Sequence, residues 1–150
     1  MDIVADMHLE HIQPLVAALS KDFYADDEMM RDAIEHQSSF NLIHYETAFK
    51  VDIFIRKSRA FDQMQLERRR MSVIATDPEQ SVYVTSPEDV ILSKLEWYRM
   101  GGEVSDRQWR DTPVGVLKTR TGELDLDYLR KWANELKVTD LLERALKEMG

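Results

Sequence analysis

No cysteine occurs among the 150 residues, which excludes disulfides and thiol catalysis and disfavours structural zinc. Glycine is scarce and one-sided. All five glycines lie at position 101 or later, so the first hundred residues contain no glycine-rich loop of the kind that cradles phosphate through backbone N–H groups. The opening Met1-Asp2-Ile3-Val4-Ala5-Asp6 lacks the basic region and long apolar stretch of a secretory signal, and no apolar run approaches the length of a bilayer span. These absences lead to the expectation of a cytoplasmic protein with no membrane association. Positive charge is also short. Twenty lysines and arginines face 28 acids, a net charge of -8, which argues against an extensive nucleic-acid surface. A small anionic ligand stays open, because a metal ion can bridge carboxylates to phosphate. The one basic run, Arg68-Arg69-Arg70, reads as a solvated helix end whose cations suit the C-terminal dipole.

What is present is ordinary for a globular chain: 43% hydrophobic and 32% charged residues. The length suits one domain, or one domain with a helical extension. Asp2 to Ala5 predicts a short strand, and Asp6 is positioned to cap a helix bearing Leu9, Ile12, Val16 and Leu19. Pro14 inside that stripe predicts a late start or a kink. His8 and His11, with no further His or Cys nearby, read as surface residues. Phe23 to Ala25 predicts a second strand, and Asp26-Asp27 opens a helix to about Gln37 whose first-turn acids suit its dipole.

Phe40 to Tyr45 and Phe49 to Ile55, joined by Glu46-Thr47-Ala48, predict a β-hairpin. In the second of these strands Phe49, Val51, Ile53 and Ile55 alternate, so Asp52 lies on the opposite face between Lys50 and Phe54. Acids are disfavoured in strands, and Asp52 is either simply solvated or a metal-binding carboxylate carried on rigid sheet. Ser58 to about Arg70 predicts a helix, and Met71 to Ala75 and Ser81 to Thr85 two more strands about the Asp77-Pro78 turn.

Ser86-Pro87-Glu88-Asp89 is the sharpest local signal: an N-cap serine, a proline at the first helical position and an acid at the capping-box position. The helix it starts carries Val90, Ile91, Leu95, Trp97 and Tyr98 and stops at Gly101-Gly102. Ser105 restarts a helix, Thr112-Pro113 interrupts it, and Val114 to Lys118 resumes it. Two amphipathic helices follow, with stripes Leu126, Leu129, Trp132, Ala133, Leu136 and Leu141, Leu142, Ala145, Leu146, Met149, both read as core packing. The expected fold is α+β, close to α/β in its alternation. Residues 1–85 form the α/β core and 86–150 a C-terminal helical cap packed on it.

Three stretches together resemble the nucleotidyltransferase-fold superfamily. They are Asp2-Ile3-Val4 near a first strand, Val51-Asp52-Ile53 in a later strand, and Ser86 to Leu95 heading a helix. Gly101-Gly102-Glu103 and Arg107 to Asp111 add to the likeness, which runs over nearly the whole chain and is greatest for small bacterial nucleotidyltransferase-like proteins related to abortive-infection toxins and antibiotic-modifying enzymes. The resemblance implies a mixed sheet flanked by helices and a magnesium-dependent transfer of a nucleoside monophosphate from a nucleoside triphosphate to a hydroxyl acceptor of unknown identity.

Such families carry two acids spaced Asp-x-Asp on one strand face, a third acid on a later strand and a preceding glycine-serine element. Acids at i and i+2 of a strand share one face, so both can ligate magnesium ions that neutralise a triphosphate. Asp2 matches the second acid of the pair and Asp52 the third, which implies both as metal ligands and catalytic residues, Asp52 also assisting deprotonation of the acceptor. Lys94 meets phosphate or is an exposed helix lysine. Arg99 and Arg107 either meet phosphate or pair with Glu96, Glu103 or Asp106. The first acid and the glycine-serine loop have no counterpart in this sequence, and one expectation is that they lie upstream of Met1. The alternative is a non-catalytic nucleotide- or protein-binding module of a toxin–antitoxin or defence system, with a protein partner or a second copy of the chain bound.

Overall fold

The computed structural model describes residues 1–110, 115–119 and 124–148. The chain is mixed α+β and divides into two compact units, Met1–Gln63 and Met64–Gly150.

The first unit is built on a four-stranded sheet in the order β1-β4-β3-β2. Its strands are β1 (Asp2–Ala5), β2 (Phe23–Tyr24), β3 (Ser39–His44) and β4 (Lys50–Ile55). β1 runs parallel to β4, whereas β3 pairs antiparallel with both β4 and β2. The expected hairpin is therefore present, and Phe40 and Leu42 of β3 share its buried face with Val51, Ile53 and Ile55 of β4. Phe49 falls in the turn before β4 and is 51% exposed. Helices α1 (Ile12–Leu19) and α2 (Asp27–Glu35) bring Ile12, Met30 and Ala33 onto the same core. Burying one such large side chain contributes about 1.5–3 kcal/mol.

Two local details differ from expectation. Residues 9–11 form a 3-10 turn and α1 starts at Ile12, so Pro14 sits in the first turn, where its missing N–H breaks no ladder. Asp6 does not cap this helix. Its Oδ1 instead takes the Arg56 guanidinium at 3.1 Å, a partner 50 residues away that no local pattern reveals. His8 and His11 are exposed, and His11 Nδ1 accepts the His8 backbone N–H at 2.9 Å. Asp26 is the N-cap of α2, and the Met29 N–H it accepts holds its carboxyl below the ordinary range.

After α3 (Ala60–Glu67), which spans the division, the second unit opens with a two-stranded antiparallel ribbon, β5 (Arg70–Thr76) and β6 (Glu79–Val84). Among the described residues five helices follow: α4 (Pro87–Met100), α5 (Asp106–Trp109), α6 (Gly115–Thr119), α7 (Leu126–Glu135) and α8 (Thr139–Lys147). α4 is central and packs against α5, α6 and α7, while α7 packs on α8. Its Ile91, Leu92 and Leu95 are fully buried. Ser86 Oγ accepts the Asp89 N–H at 3.2 Å, as an N-cap should, and the helix closes at Gly101, followed by Gly102 at φ +79°.

Ser105 caps α5, whose Trp109 is buried, and Trp132 is buried as its stripe predicts. Leu126 departs from its stripe and is 41% exposed at the start of α7. The predicted Thr112-Pro113 interruption and Met149 lie outside the described residues. Among the described residues no helix is long and apolar enough to cross a membrane.

Candidate functional site

The parallel pairing of β1 with β4 sets Asp2 directly beside Asp52. Register partners in a parallel pair project to the same face, about 4.8 Å apart across the strands. That face is opposite the core, because Ile53 and Ile55 of β4 are buried and Ala5, the register partner of Ile55, packs with them. On its other side Asp52 is paired with Asn41 of β3. The sheet thus aligns Asp2, Asp52 and Asn41 in one row across three strands.

Like charges opposite each other on a sheet repel. Lys50, two residues before Asp52 on the same strand face, offsets this with its ammonium 2.8 Å from Asp52 Oδ1. The Asp52 side chain is 31% exposed, so the row reaches solvent while its backbone is held by two neighbouring strands. Carboxylate and amide oxygens are hard donors suited to magnesium, which takes one or two carboxylates and completes its octahedron with water and substrate phosphate. The oxygen donors of this row are of the kind that ion takes. A closed protein cage is another matter: among the described residues no group of three or more His, Cys, Asp or Glu is arranged to hold a metal.

The second unit contains a different acidic grouping. Asp89, at the third position of α4, is fully buried. Its Oδ2 accepts the Ser86 hydroxyl at 2.8 Å and its Oδ1 accepts the Tyr128 hydroxyl at 2.7 Å. Glu88 beside it accepts the Asp125 backbone N–H at 3.1 Å and lies 3.4 Å from Arg68 Nη2. Arg68 Nε stands 3.7 Å from Asp89 Oδ2, within ion-pair range but too long for a hydrogen bond, and its guanidinium stacks 3.8 Å from the Tyr128 ring centroid.

Burial pushes the Glu88 carboxyl up, but the Asp125 N–H, further hydrogen bonds and Arg68 outweigh it and hold the group below its ordinary range. Burial and the bond to Asp89 push the Tyr128 hydroxyl well above its ordinary range. Arg68 is thus no solvated helix end: the first arginine of the basic run turns inward to two buried acids. Asp89 departs from its predicted capping-box role too, because its carboxylate takes the side-chain hydroxyl of Ser86 and that of a tyrosine from α7.

Lys94 lies in this second unit on α4, with its ammonium 4.3 Å from the Trp97 ring centroid. Arg99 is committed to Glu103 and Asp140, each at 2.6 Å, and the pairing lowers the Asp140 carboxyl. Asn41 of the row is not a residue the sequence singles out, and Lys50 is placed by the sequence beside Asp52 without being given a role. Lys50 had a visible signal, since i and i+2 share a strand face. Asn41 required the hairpin register.

In comparison with known proteins, the chain matches no family model, no curated protein and no solved structure at a significant level.

Proposed function

We propose that the chain is a nucleotidyltransferase-like protein whose sheet binds a magnesium nucleoside triphosphate at Asp2 and Asp52. The observation that carries this reading is the in-register pairing of these two acids on parallel neighbouring strands. When bound, magnesium would neutralise the phosphate oxygens and orient them. Asp52, held on both sides by strands, supplies a fixed carboxylate; Asp2 supplies a second; Asn41 offers an amide oxygen or N–H beside them. Lys50 has a double use. It offsets the repulsion of the paired acids when the site is empty and can swing to a phosphate when it is filled, since its own side chain is 55% exposed. Lys94 is the phosphate candidate of the second unit.

The reaction implied by this ancestry is transfer of a nucleoside monophosphate to a hydroxyl acceptor. A second reading, a non-catalytic module binding a nucleotide or a protein partner, is favoured by the 2.8 Å ion pair that already occupies one oxygen of Asp52. Calorimetric titration with each common nucleoside triphosphate, with and without magnesium, tests the site. Binding is expected to need both components and to be lost in Asp52→Asn. Binding that ignores magnesium, or survives in the variant, overturns the metal assignment. Label passing from an α-phosphate to any acceptor excludes the non-catalytic reading, whereas magnesium nucleotide bound without turnover supports it.

A further inference from the structure

Among the described residues the β5–β6 ribbon is largely uncovered. Every residue of β6 is exposed. On one face Met71 is paired with Tyr83 and Val73 with Ser81, and Met71, Val73 and Tyr83 are 65%, 54% and 59% exposed. Ile74, the extra residue at the register shift of β5, is 61% exposed. These four side chains offer on the order of 400 Å² of apolar surface, the size at which an exposed patch marks an association site. A two-stranded ribbon alone in water is marginally stable, so this one gains from further strand pairing.

The edges differ. The shift between Val73 and Ala75 bends β5 and spoils its outer ladder. β6 has no such irregularity, is rich in β-formers at Val82, Tyr83 and Val84, and pairs with no described strand but β5.

We propose that the chain forms a homodimer by antiparallel pairing of β6 with β6 of a second copy, giving a four-stranded sheet β5-β6-β6-β5. Charge selects a second copy as the occupant. The base of the ribbon carries Arg69 and Arg70 and its turn carries Asp77 and Glu79, so each ribbon is basic at one end and acidic at the other. Two such ribbons are complementary only when antiparallel, which is how a two-fold axis arranges them. With Arg68 turned to Glu88 and Asp89, the run from Arg69 to Thr85 holds two arginines against two acids, so the ribbon is neutral and two chains of net charge -8 meet here without adding like charge.

The register follows from the side chains. With the axis at Ser81, whose small side chain meets its own copy, Glu79 of the second copy lies opposite Tyr83. Glu79, Ser81 and Tyr83 share a face by strand alternation, and the Arg69 guanidinium already stacks 4.6 Å from the Tyr83 ring centroid on that face. Glu79 of the second copy therefore arrives beside Arg69. The next position, Val84, meets Pro78, which has no N–H and ends the ladder. The contact itself comes from the β6 edge, with Tyr83, Val82 and Val84 (59%, 40% and 41% exposed), while Met71 and Val73 on the outer strand extend the same apolar face across the four-stranded sheet.

Sedimentation equilibrium over a wide concentration range, on the full chain and without nucleotide, tests the dimer. The intact chain is expected to sediment at twice the chain mass and Tyr83→Lys at the chain mass. Arg69→Glu and Glu79→Arg are each expected to raise the dimer dissociation constant roughly tenfold, and the two together to restore most of it, the signature of a direct pair. All of these positions are exposed, and circular dichroism checks that each variant keeps its fold. A chain that stays monomeric into the millimolar range overturns the proposal, as does a dimer that Tyr83→Lys leaves intact. Absence of rescue in the double charge swap overturns the Ser81-centred register.

Discussion

In the first unit Asp52 keeps 31% of its side chain in solvent and takes one ammonium, Lys50, at 2.8 Å. In the second, Asp89 is fully buried and takes the Ser86 and Tyr128 hydroxyls at 2.8 and 2.7 Å, with Arg68 at ion-pair range. Both acids sit on regular elements and both looked like polar anomalies or signals in the sequence. The difference lies in who satisfies them. A buried carboxylate must have its lone pairs met by the protein, or the desolvation cost is uncompensated. Asp89 is met in this way and serves the architecture, tying the start of α4 to α7. Asp52 is held in place by its strands and only lightly by its side-chain contacts, which is the arrangement a ligand-binding acid needs: a fixed backbone and an oxygen that solvent can reach.

The sharpest way to break this contrast is to remove each acid and follow unfolding in urea. Asp89→Ala strands two hydroxyls and the Arg68 cation, and a loss of about 3–5 kcal/mol is expected. A loss below about 1 kcal/mol would mean that water reaches the cluster and that Asp89 is no keystone. Tyr128→Phe deletes one hydrogen bond while keeping the ring under Arg68, with an expected loss of about 1–2 kcal/mol in the same assay. Ser86→Ala should cost about 1 kcal/mol, the usual value of an N-cap.

Acid titration tests the neighbouring Glu88. Its folded carboxyl titrates below its unfolded value, so its contribution is fully present above the ordinary glutamate range and is lost as pH falls through that range and below it. The stability gap between the wild type and Glu88→Gln is therefore expected to hold at neutral pH and to shrink on acidification; a gap that widens would reverse the sign of the linkage. The smallest stability effect belongs to Asp52→Asn, within about 0.5 kcal/mol of wild type, because its ion pair is solvent-exposed. That variant should nonetheless lose magnesium nucleotide binding. A large stability loss there, with binding unchanged, would make the two acids alike after all.

Much of this was legible in the chain. The alternation of Phe40 and Leu42 at even positions, and of Val51, Ile53 and Ile55 at odd ones, restricts the hairpin to registers that pair even with odd, since a one-residue slip would turn the apolar set outward. Pairing Asn41 with Asp52 breaks that parity on neither face: an odd number of β3 meets an even number of β4, both pointing away from the core. The Ser86-Pro87 start of α4 was legible for a similar reason, because an N-cap is a contact within four residues. Arg68 was misread because its partners are 20 and more residues away, at Glu88, Asp89 and Tyr128, and the local pattern of three arginines after a helix points to solvent. Asp6 was misread likewise: a capping residue by position, it is claimed by Arg56 across the end of the sheet.

By itself the sequence determined most of the elements, the Asp26 and Ser86 caps, the buried face of the β3–β4 hairpin and the absence of thiol chemistry, since all of these rest on composition or on spacings of a few residues. Only the tertiary structure decided which acids meet. Asp2 and Asp52 are 50 residues apart, and nothing local states that β1 lies parallel to β4 in a register that sets one beside the other. The same holds for Asp89 and Tyr128, 39 residues apart. Hydrogen-bonded ladders and packed helices bring distant positions together through the closure of long loops, and that pairing is a property of the whole chain's burial rather than of any window within it.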